Sequence, residues 1–358
     1  MTADAARFTA SDRRRPRPAL FFDRSPFREP AILLALPVAW VAYEIAVENI
    51  TSERYAVGRA IGAHNALNFV APLVAFCSAW EMATIRRLWG RMIVWRPWWV
   101  VLASRVWVPV ATGLLIMAVI YAVILAGLPS FALPGVTFPL LSAVGVICWA
   151  LVGAAFGLVL PPLLALPVAL LAPYLFLALP VGWANPIWLR HAMGYMTGCC
   201  DSGSVPDPRA THATLAVFAA LGLVSLCVAG VRLSPVRQEP WRPAVAAGIA
   251  GVSVLGALVV AAGVRGLGHD AVRARPSGQE RCADDVCLWP EDLPAHAINV
   301  AAWKRVRQAW TGLGLPTPPV GIGPTASEGR LPIAVTSTTE EQGEIALAKP
   351  FPWRCAVA

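Results

Sequence analysis

The sequence predicts an all-α membrane protein with about seven transmembrane helices and a small α+β unit at its C-terminal end. Three observations carry this reading. Of 358 residues, 57% are hydrophobic and only 14% are charged, whereas about a quarter of residues are charged in ordinary soluble domains. The apolar residues gather in seven stretches, 31–48, 66–84, 106–127, 138–160, 163–181, 213–231 and 244–264. Each is close to the roughly 20 residues a helix needs to cross hydrocarbon. The arginines fall mainly between these stretches.

The domain plan that follows is an arginine-rich tail at 1–30, a membrane domain at 31–265 and a C-terminal region at 266–358. A water-soluble enzyme and a disordered chain are both excluded by this composition. The net charge of +8 is spread along the topology instead of forming one face. No nucleic-acid partner is expected. The only lysines are Lys304 and Lys349, and neither follows a glycine-rich turn. The phosphate-cradling loop G-x-x-x-x-G-K-[ST] is therefore missing, as are H-E-x-x-H and G-x-S-x-G. No enzymatic activity and no cofactor are expected of the chain itself.

Residues 1–30 hold seven arginines and no long apolar run. A cleaved leader carries its apolar core nearer the start, so the first stretch reads as a start-transfer helix with a cytoplasmic N-terminus. Residues 85–105 carry Arg86, Arg87, Arg91, Arg96 and Arg105 with no acidic residue, and 232–243 carries Arg232, Arg237 and Arg242 against Glu239. The positive-inside rule makes both cytoplasmic. The alternate connectors, 49–65, 128–137 and 182–212, are poor in net positive charge. The chain is thus expected in the cell membrane, with its C-terminus on the extracytoplasmic side. The pair at 138–181 is joined by the uncharged Leu160-Pro161-Pro162, and reads as two spans or as a re-entrant hairpin. Pro167, Pro173 and Pro180 make 163–181 a kinked span or a broken helix beside a cavity.

Trp95, Trp98 and Trp99 stand beside Arg91 and Arg96. Such a mixture suits the headgroup layer, so 86–99 reads as an elbow on the inner surface or as a plain aromatic belt. Residues 71–105 run APLVAFCSAWEMATIRRLWGRMIVWRPWWVVLASR, in which Ala79-Trp80-Glu81 precedes Arg86-Arg87 and Arg91. This stretch resembles the start of an ABC-2 type transporter permease of the actinobacterial integral membrane kind. Over 31–265 the resemblance implies a six-span bundle, to which this chain adds one span. It also implies a separate ATP-binding subunit as partner, a homodimer or a sister permease, and a surrounding of membrane lipid. Glu81, Arg86, Arg87 and Arg91 become the candidates for coupling to the ATPase. A Cys-…-Val-Cys-x-x-Pro-Glu-like stretch in the tail of such relatives corresponds to Cys282 through Glu291.

Carboxylates within spans are costly and tend to face a cavity or a partner. Glu44 and Glu48 lie four apart on one helix face. They either line the outer end of a translocation path or lie wet among headgroups. Glu81 either pairs with Arg86 or organises the elbow. Cys77, Cys148 and Cys227 fall in spans as packing residues. Cys199, Cys200, Cys282, Cys287 and Cys355 fall outside, where thiols oxidise. Cys282 and Cys287 are the candidate disulfide. Their spacing also suits a metal-ligand pair, but no second pair accompanies it, so no metal site is assigned. Cys199 and Cys200 form a vicinal bond, or one of them reaches Cys355. His64, His191, His212, His269 and His296 read as scattered surface residues of the outer side or, less economically, a metal or pH-sensing set. In the tail, 265–281 reads as a linker and 293–313 as a helix with Trp303, Val306, Trp310 and Leu313 along one stripe. Leu315–Pro324 reads as a loop, and Leu331–Ser337 and Glu344–Ala348 as short strands.

Overall fold

The computed structural model describes residues 30–50, 55–89, 97–126, 128, 135–182, 188–194, 200, 203–234, 241–267, 271–283, 286–291, 296–314, 322–323 and 331–332. Among the described residues, six segments are helices long and apolar enough to cross a membrane: Pro30–Glu48, Ala56–Arg86, Trp98–Ala126, Thr137–Val159, Pro208–Leu233 and Pro243–Ala262. The elements in chain order are α1 (Pro30–Glu48), α2 (Ala56–Asn65), α3 (Leu67–Trp89), α4 (Trp98–Ala126), α5 (Thr137–Val159), α6 (Pro162–Ala178), α7 (Trp188–Ala192), α8 (Pro208–Leu233) and α9 (Trp241–Ala262). Helix α10 (His296–Gly312) follows in the tail.

Helices α3 and α5 form the centre, and small residues explain why. On α3, Ala71, Ala75, Ala79 and Ala83 are all buried and recur every four residues. Gly153 and Gly157 of α5 lie directly over that row. A Cβ at Gly153 would sit 2.1 Å from the Ala75 carbonyl oxygen, and one at Gly157 would sit 2.4 Å from that of Ala79. Without a hydrophobic drive between helices in lipid, such backbone approach supplies the packing. Helix α6 lays Ala165, Ala169, Pro173 and Leu177 along the same core, so its prolines are accommodated in a continuous helix.

Helix α6 has 17 residues and continues as a 3-10 turn, Leu179–Gly182. Its start adjoins Leu160, whose carbonyl accepts from Arg86 at the C-terminal end of α3. Leu177, near its other end, shares a small cavity with His64 and Leu67 at the opposite end of α3. The helix therefore extends alongside much of α3. The outermost helices are α1 and α9, whose Leu33, Leu36, Trp40, Val252, Leu255, Leu258 and Val259 are all exposed. Burial on α9 is confined to a side that includes Ala257 and Ala261, which packs on α8.

Two expectations are corrected here. The connector 49–65 contains α2, nearly all of which is buried. Its small-residue sequence AVGRAIGAHN has little hydropathy to reveal it, yet small side chains let it lie close: a Cβ at Gly62 would stand 2.7 Å from the Ala46 carbonyl oxygen. The segment 265–281 is not a linker. It carries strand β2 (Val272–Ala274), antiparallel to β1 (Ser204–Pro206) from the connector before α8. A second small sheet has the order β3 (Arg281–Ala283), β4 (Val286–Leu288), β5 (Ile322–Gly323), β6 (Leu331–Pro332). The pair β3–β4 is antiparallel and the remaining pairs are parallel. Helix α10 packs on β4, with Trp303 fully buried and Leu313 exposed. The side chains of Val306 and Trp310, and residues 344–348, lie outside the described residues.

Candidate functional site

At one end of the bundle lie the C-terminal end of α3, the start of α4, the α5–α6 connector, the end of α8 and the start of α9. This is the arginine-rich end. Glu81, on α3, is buried, and its Oε2 accepts from Arg105 Nη1 of α4 at 3.3 Å. This partner stands on the neighbouring helix. Arg86 donates to the Leu160 carbonyl at 2.5 Å, satisfying the open C-terminal end of α5. These two contacts brace α3 to α4 and to α5 at one level. Sequence reading placed Arg105 in a loop, because the apolar run starts only at residue 106. The helix begins at Trp98, and the charge is tolerated within it because Glu81 meets it. Trp98 and Trp99 are the first turn of α4 rather than part of a flat elbow. Arg91 and Trp95 lie outside the described residues, as does the side chain of Arg87.

Glu44 and Glu48 are both exposed on α1, itself an outer helix. The structure does not bring them to the bundle interior, so the geometry places them on the periphery and not in a central path.

The opposite end, where the tail begins, holds the polar cluster that sequence reading missed. His64 Nδ1 of α2 lies 2.8 Å from Ser142 Oγ of α5, and the Tyr121 hydroxyl of α4 lies 2.9 Å from the same oxygen. His64 also hydrogen-bonds the backbone of Gly194. Gly194 has φ +93° and closes the turn after α7, and a Cβ there would stand 3.1 Å from Thr214. The Thr214 hydroxyl donates to the His191 carbonyl at 2.8 Å. His64, His191, Ser142 and Thr214 are all buried. Two of the five histidines, His64 and His191, are therefore interior and not surface residues. His212 is exposed, and His269 and the His296 side chain lie outside the described residues. Beside His64 lies a cavity of about 10 Å³ lined also by Asn65, Asn68 and Gly194, roughly the room one water occupies. The Ser142–His64 pair has the atoms of a nucleophile and its base. Through Ser142 the contacts link α2, α4 and α5.

The tail is tied to this end by Arg275. Its guanidinium stacks over the rings of Tyr55, at 4.9 Å, and Trp289, at 4.4 Å. It also donates to both carboxylate oxygens of Glu291 at 3.1 Å and to Gln279 Oε1 at 2.7 Å. Tyr55 precedes α2, so one buried arginine joins bundle and tail. Asp207 caps α8 by accepting from the Arg209 backbone N–H at 2.8 Å. The side-chain hydrogen bond from Arg209 holds the Asp207 carboxyl below its ordinary value.

Cys282 and Cys287 face one another in register across β3–β4 as a disulfide. Cys200 is buried and also disulfide-bonded; Cys199 and Cys355 lie outside the described residues. Cys77 and Cys148 are buried thiols, and Cys227 is a partly exposed thiol. Among the described residues, the one group of metal-capable side chains within 4.8 Å is Glu280, Cys282 and Cys287, whose two sulfurs are bonded to each other.

Compared with protein-family models, with curated proteins and with solved structures, the chain matches none.

Proposed function

We propose that this chain is the membrane subunit of an ABC-type exporter, forming the translocation path and driven by a separate ATPase subunit. The observation that carries this reading is the brace at the arginine-rich end. Glu81–Arg105 and Arg86–Leu160 connect three central helices near the end of α3 and the start of α4, which flank the segment 90–96 in the sequence. Force applied to that segment reaches α3, α4 and α5 together. The apolar helices and the lack of a phosphate-binding loop fit a subunit that borrows its energy. The mechanism is alternating access between two packings of the bundle, biased by closure of the ATPase. The arginine-rich end lies in the cytoplasm and the tail outside.

Purification of the tagged chain from its native membrane tests the reading. An ATP-binding subunit should accompany it, and Glu81→Gln should lower transport while leaving membrane insertion unchanged. A complex without such a subunit contradicts the proposal. A second reading, a membrane scaffold that displays the tail as a sensor or assembly module, is favoured by the Arg275 junction. Deleting residues 267–358 separates the two: flux survives under the first reading, and only tail-dependent signalling is lost under the second.

A further inference from the structure

The apolar run Ala56–Arg86 is interrupted between α2 and α3. Ala66 stands in the break. Its N–H donates to the Ala63 carbonyl at 3.2 Å, and its own carbonyl accepts from Phe69 at 3.1 Å. Both bonds reach three residues instead of the four of a regular helix. Breaks of this kind are found where a side chain or a water enters the ladder.

The break is polar on both sides. Asn65 ends α2, and Asn68 lies in the first turn of α3. Both line the small cavity beside His64, together with Leu67, Leu177 and Gly194. Asn65 is 4% exposed, and its Nδ2 finds no acceptor among the described residues. A buried donor left without an acceptor is costly.

Three properties decide what satisfies it. The cavity, at about 10 Å³, has room for one water. It is not apolar, since two side-chain amides and the Gly194 backbone border it, and it is the apolar cavities that stay dry. The unmatched atom is a donor, which a cation cannot use, and no lysine or arginine stands among the lining residues to neutralise an anion. We propose that one resident water occupies this cavity, accepts from Asn65 Nδ2 and bridges it to Asn68 and to the backbone of Gly194. That water ties the break between α2 and α3 to the turn after α7, beside the direct bond from His64 to Gly194. The inference does not depend on the export reading.

The test is an experimental map of the full chain in detergent, at a resolution that shows ordered waters. One peak should stand about 2.7–3.2 Å from Asn65 Nδ2 and from a second polar atom. A cavity without density would overturn the proposal, and so would a peak surrounded only by oxygens, which marks a cation. Asn65→Leu keeps the number and branching of the side-chain atoms while removing the donor. It should remove the peak and lower the melting temperature by about 2–4 °C, the effect of one net hydrogen bond. An unchanged or raised melting temperature would overturn the proposal, because replacing an unpaired buried donor with an apolar group of the same shape costs nothing. If the variant does not fold, the map of the unaltered chain decides.

Discussion

Gly153→Ala tests the packing that holds the bundle together. The added Cβ would lie 2.1 Å from the Ala75 carbonyl oxygen and 2.6 Å from both Ala75 C and Cα. Carbon contacts normally settle near about 3.5–4.0 Å, so α3 and α5 must part by more than about 1 Å. The obstruction is helix backbone, which cannot rotate aside. Overpacking of this kind costs about 1–3 kcal/mol, occasionally more, and this position belongs at the upper end. Gly256→Ala on α9 is the control, because a Cβ there meets nothing within 4 Å. That substitution should stabilise by about 0.5–1 kcal/mol through helix propensity alone. The two variants should therefore differ by roughly 3–4 kcal/mol. With about 2–4 °C per kcal/mol for domains of this size class, their melting temperatures should stand roughly 6–16 °C apart. Thermal unfolding in detergent can be followed by dye capture at the buried Cys77 and Cys148 thiols. Equal melting temperatures for the two variants would refute the close approach of α3 and α5.

Arg275→Ala should release the tail while sparing the bundle. The Arg275 and Glu291 side chains are 7% and 11% exposed, and leaving one member of a buried pair alone costs about 3–5 kcal/mol. Limited proteolysis should then cut within 263–300 faster, while dye capture at Cys77 and Cys148 is unchanged; unchanged cleavage would contradict the junction. Asp207 sets an acid limit on the same end. Its carboxyl titrates below its ordinary 3.8 in the folded chain, so its contribution is complete above that value and fades as pH falls through the lower, folded one. Protection of 203–210 from hydrogen exchange should weaken in acid, and Asp207→Asn should flatten that dependence; a parallel pH profile in the variant would sink the assignment.

The spans were legible because long apolar runs are the one signal lipid demands. What hydropathy cannot register is close approach. Helix α2 is buried through Gly and Ala, residues that score weakly, and so read as a connector. The same blindness hid the start of α4, where Arg105 sits in a helix because a glutamate on α3 receives it. The Cys282–Cys287 pairing was readable from spacing, and the small hairpin that aligns it was not. Glu81 was readable as a costly charge, while its partner depended on how α3 and α4 cross. Arg275, His64 and Ser142 gave no pattern along the chain. Their significance arises from residues 220, 78 and 21 positions away, which only the fold brings near.

The central claim is that the arginine-rich end and the tail lie on opposite sides of a bilayer. Gentle reduction of intact cells, followed by an impermeant thiol reagent, reads this at Cys282 and Cys287. The account predicts labelling of both cysteines in sealed cells. Labelling that appears only after the cells are opened would contradict it.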